Sequence, residues 1–311
     1  MFKIIIACFL SLAGSISMVT HTNSSSEYVG REVCKECHLQ EYEKWQGSHH
    51  DLAMQEAGEQ TVLGDFNEAR FKHFGIESVF FKKDGLFMVR TDGPDGKLKD
   101  YPVKYTFGFY PLQQYLIEFP GGRLQALDIA WDSRPKKEGG QRWMHLHPED
   151  KIAHDDVLHW TGPNFNWNYM CADCHSTHLQ KNYDPKKDVY HTVWSELDVS
   201  CEACHGPGSA HVNWAKEEPS KRESVPGMGL QVQFRELKRA SWAVDPNSGI
   251  PVRSSENKTH DEIEICARCH SRRAQIAKDE KDRPLMDAYI PSLLTEGLYH
   301  ADGQIQDEVF V

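Results

Sequence analysis

Four times along this chain two cysteines stand three positions apart with a histidine immediately after the second: "CKECH" from Cys34, "CADCH" from Cys171, "CEACH" from Cys201 and "CARCH" from Cys266. Nine cysteines minus Cys8 leaves eight, and all eight lie in these motifs. Histidine fills 17 of 311 positions, so four such placements by chance have odds on the order of one in a hundred thousand. Any fold for this chain must serve that repeated unit.

The fixed histidine separates the chemistries open to a Cys-x-x-Cys pair. A structural disulfide framework has no use for it, and a thioredoxin-like dithiol occurs once rather than four times. Zinc sites are built from such pairs, but a histidine adjacent to the second cysteine is poorly placed to join the same tetrahedron. Covalent haem attachment uses every position: two sulfurs form thioethers with the porphyrin, and the next residue turns its imidazole onto the iron. The expectation is four haems c. They attach through Cys34 and Cys37, Cys171 and Cys174, Cys201 and Cys204, and Cys266 and Cys269, with His38, His175, His205 and His270 as proximal iron ligands.

A second histidine on each iron closes its far face and favours electron transfer over substrate binding. Twelve histidines remain after the proximal four and His21 are set aside. Placement singles out a few as distal candidates. His49 and His50 sit together in the first turn of "WQGSHHDLAMQEAG", which reads as a helix capped by Ser48, with Asp51 in the capping-box position and Gly58 as its stop. His211 follows a Gly206-Pro207-Gly208 turn that reverses the chain, and it suits a neighbouring iron better than the one held by His205. His159 precedes the second motif in an aromatic stretch suited to packing on porphyrin faces, and His300 follows the fourth in "GLYHADGQ". Met54 and Met170 lie near motifs but read as core.

The stretch "MFKIIIACFLSLAGSISMVT" puts one lysine before an apolar run and small residues after it, the pattern of a cleaved signal over residues 1–22. The competing reading is a membrane anchor, for which the run is short, and lipidation at Cys8 is a lesser alternative. No later stretch is apolar enough to span a membrane, so the mature chain is expected not to be an integral membrane protein. Losing Lys3 with the signal takes the formal charge from -11 to -12. So acidic a chain repels phosphate backbones, which argues against nucleic-acid binding.

The remaining chain, 27–311, reads as one multihaem unit. Its first haem segment, 27–60, is expected to be helical, with Leu39, Tyr42 and Trp45 on one face. Alternating runs about Asp84-Gly85, Asp95-Gly96 and Gly121-Gly122 predict an inserted antiparallel sheet over 66–160. The second, third and fourth haem segments fill 161–311, with the second and third haems close enough to touch and a hairpin expected about "VDPNSG". Arg272 and Arg273 read equally as partners for haem propionates or as surface residues. The fold class expected is α+β: mostly helical and loop, with a small inserted antiparallel sheet.

The motifs "YVGREVCKECH", "WQGSHH", "FPGGRLQALDIAWDSRP", "HWTGPNFNWNYMCADCHSTHL", "VSCEACHGPGSAHV" and "EICARCHSRR" resemble those of multihaem cytochromes c of the cytochrome c554 and c-552 superfamily. More closely, the chain is similar to exported cytochromes that carry tetratricopeptide repeats after the haem domain. The resemblance covers most of 28–311 and implies His50 and His211 as distal ligands. Such proteins continue with further motifs and repeats, so more chain is expected after residue 311. The function expected is a tetrahaem electron carrier, periplasmic or otherwise exported, working between redox partner proteins. The alternative is an oxidoreductase with one open haem acting on a small nitrogen or sulfur compound, and the resemblance permits it. The Cys-x-x-Cys-Lys attachment frequent in nitrite reductases does not occur here.

Overall fold

The computed structural model describes residues 26–222, 225–234, 241–254, 260–277, 283–301, 303 and 305–306. The expected signal segment, 1–22, and the end of the chain lie outside them. Its centre is a sheet. Strands β1 (Met54–Glu56), β2 (Ala69–His73), β3 (Ile76–Lys83), β4 (Leu86–Asp92), β5 (Leu98–Phe107), β6 (Leu112–Phe119), β7 (Arg123–Ala126), β8 (Ile129–Asp132) and β9 (Arg142–His145) pair antiparallel throughout. The order is β2-β3-β4-β5-β6-β8-β9, with β1 added to β5 and β7 to β6. His73 of β2 stacks on His145 of β9 with ring centres 3.7 Å apart, so the two ends of the sheet meet and the barrel is nearly closed.

Period-two burial builds this barrel. Phe80, Phe87, Val89, Val103, Tyr115, Ile117, Trp131 and Trp143 fill its interior, with Trp143 stacked 3.5 Å from Phe80. The turns fall where the glycines stand. Asp84 and Gly85, both at positive φ, make a two-residue turn between Lys83 and Leu86. Gly122, at φ +70°, lies where a Cβ would come within 2.2 Å of the Tyr190 carbonyl oxygen, so only glycine fits.

Helices are short and flank the barrel: α1 (Arg31–Lys35), α2 (Leu39–Trp45), α3 (Trp167–Met170), α4 (Ala172–His175), α5 (Cys201–His205), α6 (Ser209–Lys216), α7 (Pro219–Arg222), α8 (Asp261–His270) and α9 (Leu285–Ala288). Three ribbons complete the described chain: β10 (Tyr183–Asp184) with β11 (Val189–Tyr190), β12 (Trp242–Val244) with β13 (Pro251–Arg253) about the expected "VDPNSG" turn, and β14 (Arg273–Gln275) with β15 (Tyr289–Pro291). Among the described residues no helix is long and apolar enough to cross a membrane.

Two expectations are overturned. The fold is not mostly helical with a small sheet: 25% of it is helix and 30% strand, and the sheet is its largest element. Helical signals in the attachment segments were real but local, one or two turns each, whereas the strands join by long-range pairing that no short window displays. The helix expected from Ser48 to Gly58 is also absent. A single 3-10 turn at Asp51–Ala53 gives way to β1, because pairing with β5 buries Met54 to 1% exposure. Of the cap, the Ser48 hydroxyl accepts the Asp51 N–H at 3.4 Å, and the Asp51 carboxylate takes the Gly47 N–H at 2.7 Å.

Candidate functional site

Each motif lies on about one helical turn, which puts its two cysteines on one face. In α4 and α5 the turn ends at the histidine, and the chain leaves through extended Ser176 or through Gly206 at φ +75°. The second motif is tied to the barrel through α3. There the Asn168 side chain accepts the Leu124 N–H of β7 at 2.7 Å, and its amide donates to the Gly122 carbonyl at 3.1 Å. The same strand's Gln125 donates to the Trp160 and Gly162 carbonyls at 2.9 Å each. Hence the aromatic stretch before this motif is barrel core: Trp160 and Trp167 are buried at 1% and 0% exposure, in place of the porphyrin-facing role expected of them.

Folding brings the motifs together out of sequence order. Helix α1 packs on α5 and α4 on α8, and the neighbouring Cys201 and Cys269 thiols, together with burial, raise the Cys34 and Cys174 thiols. So the first motif adjoins the third, and the second adjoins the fourth. Cys171, Cys174, Cys204, Cys266 and Cys269 line one cavity of about 550 Å³, which His49, His50, His175 and His270 also border. Among the described residues, no three His, Cys, Asp or Glu side chains converge as a metal-ion tetrahedron would require.

Three of the imidazoles have Nδ1 held by a backbone carbonyl. Nδ1 of His175 lies 2.9 Å from the Ala53 carbonyl, that of His205 3.1 Å from Val232 and that of His211 2.8 Å from Met228. A proton held on Nδ1 by a backbone carbonyl leaves the Nε2 lone pair for a metal. Burial lowers the pKa of His175, and burial with the adjacent His270 and His49 lowers that of His50, so both favour the neutral, ligating form. Two ring pairs carry the geometry further. His38 and His211 have ring centres 6.0 Å apart, and His50 and His270 have theirs 6.1 Å apart. Imidazoles on opposite sides of one metal at about 2 Å each, plus ~1 Å from nitrogen to ring centre, stand about 6 Å apart. These residues therefore fit a hexacoordinate haem iron.

The other distal candidates fall elsewhere. His159 is buried on the barrel, its Nε2 on Asp92 at 3.2 Å and its Nδ1 on the Thr161 hydroxyl at 2.7 Å, so neither nitrogen is left for iron. His300 is exposed after the buried Tyr299. Met54 is barrel core, and Met170 borders the cavity.

Glu202, the first variable residue of "CEACH", escaped sequence reasoning. At 2% exposure, its carboxylate accepts the N–H groups of Val29 and Gly208 at 2.9 and 2.7 Å through one oxygen and that of Gly30 at 2.8 Å through the other. It thus fixes both the start of the first haem segment and the turn before His211. Arg31 pairs with Asp198 and lies 3.4 Å from Glu196, joining the same two segments. A glutamate in a variable motif position carries no outward sign of this.

A family model described as cytochrome c554 and c-prime matches residues 33–70 and 131–206, which hold the first three motifs. Among solved structures, the outer cell wall cytochrome OcwA is similar, with a TM-score of 0.51 and 17% identity over 92% of this chain and 50% of its own, so this chain spans half the length of that relative. An undecahaem cytochrome from the S-layer of Carboxydothermus ferrireducens aligns over 60% of this chain and 22% of its own, with 19% identity and a TM-score of 0.36. No curated protein matches in sequence.

Proposed function

We propose that this chain, which belongs to the multihaem c-type cytochromes, holds four covalent haems c and relays electrons between redox partner proteins. The observation that carries the reading is the two pairs of neighbouring imidazoles, His38 with His211 and His50 with His270, each at the ring separation one iron requires. When bound, the haems supply one-electron Fe(III)/Fe(II) chemistry. The chain's own residues attach and enclose them. Cys34 and Cys37, Cys171 and Cys174, Cys201 and Cys204, and Cys266 and Cys269 form the thioethers. His38, His175, His205 and His270 would be the iron-binding histidines of the four motifs, and His211 and His50 would serve the irons of His38 and His270.

The packing of the motif helices supports an order for the relay: the first site adjoins the third through α1 and α5, and Cys204 of the third borders the cavity shared by the second and fourth. Electron transfer needs no protein acid or base, and the buried Nδ1 hydrogen bonds keep the ligands from reorganising. Export of the chain is supported by the apolar run from Ile4 to Ala13, and the outer-cell-wall setting of OcwA accords with it.

The test is haem per polypeptide by pyridine haemochrome absorbance on denatured protein made with a cytochrome c maturation system. Four covalent haems, with at least two low-spin irons by electron paramagnetic resonance, are expected. A chain that retains none after denaturation overturns the reading.

A further inference from the structure

Arg273 is buried at 3% exposure, yet its Nε and Nη1 have no acceptor. It lies at the start of β14, three residues beyond His270, and its guanidinium sits 4.3 Å from the ring centre of Tyr289 on the paired strand β15. Its charge is felt by the Cys174 thiol and by the guanidinium of Arg268, itself buried at 2% exposure. Arg273 therefore stands between the second and fourth motifs, beside a second buried cation.

The nearby anions are otherwise engaged. Asp173 pairs with Lys181 at 2.7 Å, and the Glu264 carboxylate accepts the Leu285 N–H. Among the described residues, no carboxylate forms an ion pair with Arg273. An uncompensated buried cation costs several kcal/mol, so such a site is stable only with an anion brought to it. A face-stacked aromatic ring does not replace hydrogen-bond acceptors at the guanidinium edge.

We infer that Arg273 is the counter-ion of a haem propionate, donating from Nε and Nη1 to the carboxylate of a haem attached at Cys171 and Cys174 or at Cys266 and Cys269. The inference rests on the haem-binding reading of those motifs and gives this chain a residue that tunes the potential of one particular haem. A guanidinium beside a propionate offsets negative charge that otherwise favours the ferric iron. Arg273 thus acts on the iron through the propionate, as a positioning and charge-balancing residue.

The test is a spectroscopic redox titration of the full holoprotein as wild type, R273Q and R273K, after haem content is measured for each. With haem content unchanged, R273Q should shift one reduction wave toward lower potential by about tenfold in its Fe(III)/Fe(II) equilibrium, about 59 mV for one electron. R273K, which keeps the charge, should recover most of that shift. Superimposable waves in R273Q and wild type at equal haem content overturn the inference while leaving the haem reading intact. Absence of covalent haem from the wild type overturns the reading itself. Should R273Q fail to mature, R273K decides: full haem loading supports the charge role, and failure equal to that of R273Q overturns it.

Discussion

His38 and His211 face each other with ring centres 6.0 Å apart and planes 28° from parallel, one beside the first attachment pair and the other just beyond the third. His211 is pinned by the Met228 carbonyl and stacks on Trp214. H211A should keep every thioether, and so its full haem content, but convert one low-spin iron to high-spin. Electron paramagnetic resonance with haem quantitation measures this, and added imidazole should restore the low-spin signal. An unchanged low-spin count would show that the pair does not share an iron.

His49 and His50 are neighbours in sequence with different expected fates. His50 faces His270 across 6.1 Å, whereas His49 tilts toward Phe109 and Tyr110. H50A should therefore yield one additional high-spin iron, and H49A none. The same comparison bears on the enzymatic alternative. A high-spin iron already present in the wild type, binding small ligands such as nitrite, would place an open haem among those held by His175 and His205.

The buried carboxylate of Glu202 serves three backbone donors in two segments. E202Q retains one acceptor oxygen and loses the charge, and is expected to cost about 2–3 kcal/mol of stability by denaturant titration. Residues 26–30 should then become accessible to protease at a concentration that leaves the wild type intact.

Burial alone would raise the Asp92 carboxyl, but its hydrogen bond and charge interaction with His159 outweigh this and hold its pKa below the ordinary carboxylate value. The unfolded chain therefore takes up this proton first as pH falls. The stabilisation is complete above the unfolded pKa and is lost as pH drops through the lower, folded one, so D92N should flatten the stability profile between about pH 5 and pH 3. Because His159 belongs to the barrel, D92N and H159A should leave the haem spectra unchanged while lowering the unfolding midpoint. A change of iron spin state in H159A would return His159 to the ligand set.

By itself the sequence determined the chemistry, because attachment is local: two sulfurs and an imidazole within five residues suffice to name a haem c site, and Asp84-Gly85 names its own turn. It did not determine which strand closes on which, since the stacking of His73 on His145 and the pairing of β1 with β5 depend on contacts far apart in the chain. Nor did it determine the use of each histidine. His50, His159 and His211 look alike in sequence as imidazoles near motifs, yet the tertiary fold spends both nitrogens of His159 on Asp92 and Thr161 and turns His50 and His211 toward His270 and His38. The physical reason is that a ligand's partner is fixed by a ring separation of a few ångströms, set by helices packed against a barrel, and a linear spacing carries no such distance.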